Sequence, residues 1–212
     1  MKWEELIRVT RNLPVIDTET LLTGVSNSES TKVQLSRWTK SGKLIQLKKG
    51  IYLLSKDYRK IDIYEPYIAS LLKKPSYISL EKAFEHYGLI PEAVNVYTSV
   101  TPKRQGRFVS EPGTFDYKHI QTSLFWGYDS VTVNKQTAFI AAPEKALLDY
   151  FYLKGMNISL EYLKELRLQN VEKINLKRLF EFADKFKRPG ITKIAEILKK
   201  YIISFKNEEK SL

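Results

Sequence analysis

Few side chains in this 212-residue sequence could perform covalent or metal chemistry. Cysteine is absent, which excludes a thiolate metal site, a cysteine nucleophile and a disulfide scaffold. The two histidines, His86 and His119, lie 33 positions apart with no third, so a histidine-rich metal site is not expected and we interpret both as structural. Glu144 and Asp149 share one predicted apolar helix, but spacing i, i+5 turns them about 140° apart. We therefore expect one to cap a helix and the other to form a local salt bridge.

The sequence also lacks the glycine-rich and nucleophile motifs of common enzyme classes. It contains no G-x-x-x-x-G-K-[ST], no G-x-G-x-x-G, no G-x-S-x-G and no H-E-x-x-H. These absences favour a binding protein over an enzyme, with no catalytic residues, no cofactor and no metal.

The charge of the chain indicates what it binds. Thirty-five lysines and arginines against 24 acidic residues give a formal net charge of +11, which favours a polyanionic partner. The excess is +6 in residues 1–60, −1 in residues 61–153 and +6 in residues 154–212. This uneven distribution indicates parts with different functions, although lysine-rich surfaces are often merely solvated.

The cations of the N-terminal part lie on predicted helices and a predicted hairpin. Apolar spacing and Pro14 predict a helix over about 3–12, and Asp17 can cap a second helix that ends at Leu22. A capping-box pattern at Ser26-Asn27-Ser28-Glu29 begins a third helix over about 28–41. Two β-prone runs, 44–47 and 51–54, flank Lys48-Lys49-Gly50 and predict a hairpin. Three helices followed by a hairpin are the order of a winged helix-turn-helix, here assigned to residues 1–58.

A winged helix that binds DNA inserts its third helix into the major groove and places cations of the wing on phosphates. Thr31, Leu35 and Trp38 have the spacing of an inward face. The candidates for reading base edges lie near the start of the helix and are Ser28, Ser30, Thr31, Lys32 and Gln34. The candidates for phosphate contacts lie later in the helix, after it and on the wing, and are Arg37, Lys40, Lys43, Lys48 and Lys49. The alternative is that this unit is a protein-interaction module.

Residues 59–212 are predicted to form a larger mixed α/β domain that ends in a helical segment. The strand-rich part is 77–142 and the helical part is 143–205, so the fold class is α+β. Helices are predicted over about 64–72, 79–87, 143–153, 159–168, 175–187 and 191–205, and strands over 94–100, 115–120, 124–128, 131–133 and 137–141. A basic loop offers Lys103, Arg104 and Arg107 as candidates for an anion or a partner carboxylate, or simply a solvated loop.

Three segments in this order resemble the AbiEi family of antitoxins. They are LSRWTKSGKLIQLKKGIY at 35–52, YISLEKAF with YGLIP at 77–84 and 87–91, and APEKALLD at 142–149. The likeness covers about residues 3–155, and the later helices match only in character. One departure is Trp38, which stands where a smaller leucine is usual in such helices.

The resemblance implies a function that the amino-acid composition alone does not indicate. Members of this family are the antitoxins of type IV toxin–antitoxin pairs of the AbiE abortive-infection kind, which act in phage defence. They join a winged helix to a C-terminal antitoxin domain and repress their own operon by binding inverted repeats in promoter DNA. They counter a nucleotidyltransferase-like toxin without a stable complex. No motif for the antitoxin activity can be carried over to this sequence.

Two other readings remain open at the level of sequence. One is a plain transcriptional regulator whose C-terminal domain senses a ligand or dimerises, and the other is an RNA-binding protein that uses the basic C-terminal helices. The acidic start of the chain does not resemble a signal peptide, and no apolar run approaches the ~18 residues of a membrane span. We therefore expect a cytoplasmic protein.

Overall fold

The structure is a computed structural model, and it describes residues 1–23, 28–155 and 158–209. The chain has a mixed α+β fold with two sheets in this part. The N-terminal elements are, in order, α1 (Trp3–Thr10), β1 (Ile16–Asp17), α2 (Thr18–Leu22), α3 (Ser28–Lys40), β2 (Leu44–Lys48) and β3 (Ile51–Leu54). The three predicted helices and the hairpin are present, with small changes at their ends. Ser26 and Asn27 of the predicted capping box lie outside the described residues.

One local contact and one long-range pairing shape this N-terminal unit. The Asp17 carboxylate accepts a hydrogen bond from the Glu19 N–H at 2.9 Å, which caps α2 as predicted. The strand β1, which was not predicted, pairs antiparallel with β3, so the small sheet has the order β1-β3-β2. Buried apolar side chains from α1, β1, α3 and the hairpin form one small core: Leu6, Ile16, Leu35, Trp38, Leu44 and Leu54.

The C-terminal elements form a six-stranded sheet with helices on both faces. They are α4 (Glu65–Leu72), β4 (Tyr77–Ile78), α5 (Leu80–Tyr87), β5 (Val96–Thr101), β6 (Gly106–Ser110), β7 (Gly113–His119), β8 (Tyr128–Val133), β9 (Gln136–Ala141), α6 (Pro143–Lys154), α7 (Leu160–Glu165), α8 (Leu176–Lys185) and α9 (Pro189–Glu209). The strand order is β6-β7-β5-β4-β9-β8. The pairs β4–β9 and β5–β7 are parallel, and the other pairs are antiparallel.

Two predictions for the sheet were wrong. The predicted strand over 124–128 is absent except for Tyr128, which begins β8. Trp126 packs edge-on against Phe182 of α8 at 5.1 Å, and Gly127 adopts φ +78°. Phe125 packs against Tyr77, so these residues are apolar because they fill the core. Conversely, Gly106 and Arg107 were predicted to belong to the basic loop and instead begin the edge strand β6, which pairs antiparallel with β7.

The hairpin belongs to both parts of the chain. Leu47 and Leu53 are buried in the large core that also contains Ile68 and Leu72 of α4. The division at residue 58 remains a prediction, but the two parts share apolar contacts across it. The hairpin therefore has a fixed position against α4.

The described ranges contain neither a candidate membrane span nor a candidate metal site. None of the helices there combines the length and apolar character needed to cross a bilayer. The same ranges contain no group of three or more histidine, aspartate or glutamate side chains that could hold a metal ion.

Candidate nucleic-acid interface

The helix α3 has a buried side and an exposed side. Thr31 and Leu35 are essentially inaccessible to solvent and Trp38 is 8% exposed, which matches the predicted inward face. The Trp38 ring lies 5.1 Å from the ring of Trp3 on α1, and the two rings are tilted by 59°. These contacts hold α3 by its inner side.

The polar candidates lie on the opposite side of α3. Ser30, Lys32, Arg37 and Lys40 are exposed, and Gln34 is partly buried. The Lys32 ammonium pairs with the Glu29 carboxylate at 2.6 Å, so its charge is partly compensated. Ser28 begins the helix, and its side chain lies outside the described residues.

Thr31 must be removed from the candidates for base reading. It was placed both on the inward face and among the base-edge residues, and the structure supports only the first position. A side chain with no exposed surface cannot contact DNA without rearrangement of the core around it. Its role is to pack α3.

The hairpin presents one of its two lysines freely. Lys49 is exposed in the two-residue turn between β2 and β3. The next residue, Gly50, has φ +84°, and its carbonyl accepts hydrogen bonds from the Thr18 N–H at 2.9 Å and the Thr18 hydroxyl at 3.1 Å. Because a Cβ atom at Gly50 would lie 3.1 Å from that hydroxyl, glycine suits this turn.

The other lysine of the hairpin is Lys48, the last residue of β2. It was predicted to contact phosphate, but its ammonium group is bound within the protein. Its ammonium donates to the carbonyl oxygens of Leu71 at 2.6 Å and Leu72 at 3.3 Å, at the C-terminal end of α4. A cation at this position satisfies carbonyl groups that the helix leaves unpaired. Lys48 thus fastens the hairpin to α4, a role that sequence reasoning missed because the two elements are 23 residues apart.

The basic loop after β5 lies near the hairpin. Burial lowers the pKa of Lys48, and the charges of Lys74 and Lys103 lower it further, while Asp17 opposes them. The Lys73 ammonium donates to the Arg104 carbonyl oxygen at 2.8 Å, which holds the loop against the end of α4. The structure therefore places the charge of Lys103 near Lys48 of the hairpin, an arrangement that the sequence did not predict.

Arg107, the third cation predicted for the basic loop, belongs to the strand β6 and lies directly opposite Asp116 of β7. It lines a cavity of about 580 Å³ whose wall also carries Glu81, Glu92 and Glu165. Arg107 thus shares its surroundings with acidic side chains, and a common anion site with Lys103 and Arg104 stays a prediction.

Sequence reasoning also missed a polar cluster buried in the large core. Lys145 and Asp149, both without exposed surface, form an ion pair one turn apart on α6. The Asp149 carboxylate also accepts from the Tyr77 hydroxyl at 2.9 Å and the Ser79 hydroxyl at 3.0 Å. Burial raises the pKa of Asp149, and the contacts from Lys145, Tyr77 and Ser79 oppose that rise. This cluster joins α6 to the region around β4.

Glu144 and Asp149 have separate structural contacts. Asp149 forms the predicted local salt bridge, with Lys145. The buried Glu144 carboxylate accepts from the Asn175 N–H at 2.7 Å and from the Arg178 guanidinium at 2.7 Å. It therefore holds the start of α8, whereas the cap of α8 is the Asn175 side chain, so the predicted helix cap is not formed by Glu144.

The two histidines are also engaged locally. His86 lies in the last turn of α5, with its ring 4.9 Å from that of Tyr87. The His119 Nδ1 atom lies 3.1 Å from the Lys103 carbonyl oxygen.

Comparison with known proteins yields no relative. No protein-family model matches the chain, and no curated protein matches it in sequence. The function proposed below therefore rests on the surface of α3 and the hairpin and on the resemblance of the three sequence segments.

Proposed function

We propose that this protein is a winged-helix DNA-binding autorepressor and the antitoxin of a type IV toxin–antitoxin pair. In this proposal it acts in the cytoplasm, binds inverted repeats in its own promoter and counters a nucleotidyltransferase-like toxin. It does so without a stable complex and without a cofactor or enzymatic activity of its own.

The observation that carries the DNA-binding part is the outer side of α3 together with the hairpin turn. Arg37 and Lys40 are exposed in the last turn of α3, and Lys49 is exposed on the turn that follows. A 13-residue helix is about 20 Å long, and the major groove admits one helix. In our proposal Gln34 and Ser30 face base edges, whereas Arg37, Lys40 and Lys49 neutralise phosphates.

The shape of the operator follows from this geometry. A single reading helix covers a short half-site, so inverted repeats require two copies of the protein related by a two-fold axis. In our proposal Lys103, whose charge acts on Lys48 of the hairpin, extends the positive surface along the phosphate backbone that flanks the half-site.

The antitoxin part rests on the resemblance. The second and third resembling segments meet in the core, since Tyr77 and Ser79 contact Asp149. The first segment contains Trp38 and the hairpin turn. These contacts join the second and third segments in one core of this chain, and the proposed antitoxin role rests on the resemblance of the three segments.

The test separates DNA binding from neutralisation in the full chain. The double variant Arg37→Ala with Lys40→Ala removes two exposed cations of α3. The matched control, Lys193→Ala with Lys200→Ala, removes two exposed cations of α9. Each protein is titrated against a fluorescent promoter fragment at several salt concentrations, and is also co-expressed with the neighbouring gene while growth is scored.

We expect the α3 variant to lose promoter binding by at least about 100-fold, on the basis of ~1.4 kcal/mol per contact, and still to rescue growth. The control should behave as the wild type in both assays. Equal promoter affinity for the α3 variant and the wild type contradicts the DNA interface. If the neighbouring gene is not toxic, or the wild type does not rescue growth, the antitoxin role is wrong and a plain regulator remains. Loss of nucleic-acid binding in the α9 variant alone indicates an RNA-binding protein.

A further inference from the structure

A deep cleft of about 810 Å³ lies between the N-terminal unit and α4. Its walls are the start of α2, the inner edge of α3 near Leu35, the hairpin turn and the last turns of α4. Ligand sites prefer such junctions between parts of a protein, and their volumes are commonly ~300–1,000 Å³. A DNA duplex is too wide to enter a cleft of this size, so its interior suits a small molecule.

The side chains of the cleft indicate the chemistry of that molecule. Lys49 and Lys74 are exposed cations on its rim, and among the described residues neither forms an ion pair. Lys48 lines the same cleft, and the charge of Lys74 contributes to lowering the pKa of Lys48. Like charges in one cleft repel each other, and an anion bound there relieves that repulsion. Since lysine is a common ligand of phosphate groups, a phosphorylated anion fits this end of the cleft.

The remaining lining residues suit the rest of such a ligand. Tyr52 of β3 and Tyr67 of α4 are half-buried in the wall and offer aromatic surface for a planar ring. Asp17 and Glu19, at the start of α2, add carboxylates that can accept hydrogen bonds from sugar hydroxyl groups. Phosphates, a sugar and an aromatic ring together describe a nucleoside phosphate.

We propose that this cleft is an effector site for a nucleoside polyphosphate. The phosphates contact Lys49 and Lys74, and the base lies against the tyrosines. Because Lys49 is also a proposed phosphate contact of the wing, the bound nucleotide competes with operator DNA. The proposed nucleotide binding depends only on the cleft, whereas the competition between the nucleotide and operator DNA rests on the proposed function.

The test uses the full chain and ATP without a divalent metal as the probe. Binding is followed by isothermal titration calorimetry at constant ionic strength, with adenosine and pyrophosphate as separate ligands. Lys74→Met removes one rim cation and keeps an apolar stem of similar length. Lys200→Met makes the same change on an exposed position of α9 and serves as the matched control.

We expect one ATP site in the wild type and about tenfold weaker ATP binding in Lys74→Met, as for the loss of one charge-assisted hydrogen bond. Lys200→Met should bind ATP as the wild type does, and adenosine and pyrophosphate should each bind more weakly than ATP. No ATP binding at about 1 mM, or an equal loss in both variants, overturns the effector site.

The second measurement repeats the promoter titration with and without ATP. We expect ATP to weaken promoter binding of the wild type, and DNA to weaken ATP binding by the same factor, because the linkage is reciprocal. Lys74→Met should be less sensitive to ATP. ATP binding without any promoter binding preserves the cleft and refutes the DNA proposal, whereas simultaneous binding with unchanged affinities refutes the competition.

Discussion

The two lysines of the hairpin turn should respond differently to the same substitution. In Lys48→Met, α4 loses a charged hydrogen bond of 2.6 Å and a longer one of 3.3 Å at its C-terminal end. Charged hydrogen bonds contribute about 1.5–3 kcal/mol, and partial exposure to water reduces that value. We therefore expect the free energy of unfolding to fall by about 1–2 kcal/mol. Lys49→Met removes only an exposed side chain and should change stability by less than ~0.5 kcal/mol.

The salt dependence of promoter binding distinguishes the two roles. Each phosphate that a lysine neutralises adds about 0.9 to the slope of log K against log salt concentration. We expect Lys49→Met to lower this slope by about 0.9 and Lys48→Met to leave it unchanged. The assays are urea unfolding and fluorescence anisotropy at four or more salt concentrations. An equal reduction of the slope in both variants would show that Lys48 also contacts phosphate and would refute its assignment as a fastening residue.

Three further substitutions test the proposed role of α3 and the packing of the two cores. Gln34→Ala should change sequence preference at one base pair by about 1–3 kcal/mol, measured by selection from operator variants, and an unaltered preference excludes Gln34 from base reading. Lys145→Met leaves the Asp149 charge buried and should cost about 3–5 kcal/mol in urea unfolding, much of which Lys145→Met with Asp149→Leu should recover. An unrecovered double variant would contradict a simple pair. Trp38→Leu should lower the free energy of unfolding by about 1–3 kcal/mol through lost packing on Trp3, and no change in the urea midpoint would contradict that contact.

The elements that the sequence predicted best are those whose signals are local. The carboxylate of Asp17 caps α2 within two residues, and Gly88 and Gly155 end α5 and α6 in the left-handed conformation, at φ 67° and 61°. Amphipathic spacing likewise located the inner side of α3. In each case the physical cause lies within one or two turns of the residue concerned, so a pattern in the sequence records it.

The missed features depend on contacts between distant segments. The strand β1 has only two residues, and it exists because β3 pairs with it about 35 positions later. Phe125 and Trp126 are apolar because they pack on Tyr77 and on Phe182 of α8, and not because they form a strand. The fastening role of Lys48 requires knowing that the end of α4 lies beside the hairpin. Its position next to Lys49 made the two residues look equivalent, whereas tertiary contacts separate them.

The hairpin's place in both cores bears on how such a protein can be dissected. A fragment that begins near residue 60 would lose Leu47 and Leu53 and uncover the apolar surface around Ile68 and Leu72 that they now fill. Its failure to rescue cells could then reflect aggregation or proteolysis and not the loss of a recognition surface. A fragment of residues 1–58 would likewise leave those two leucines in water. Substitution of single surface charges in the intact chain is therefore the better genetic tool. For the same reason, an exchange of residues 1–58 between proteins of this fold would have to include α4.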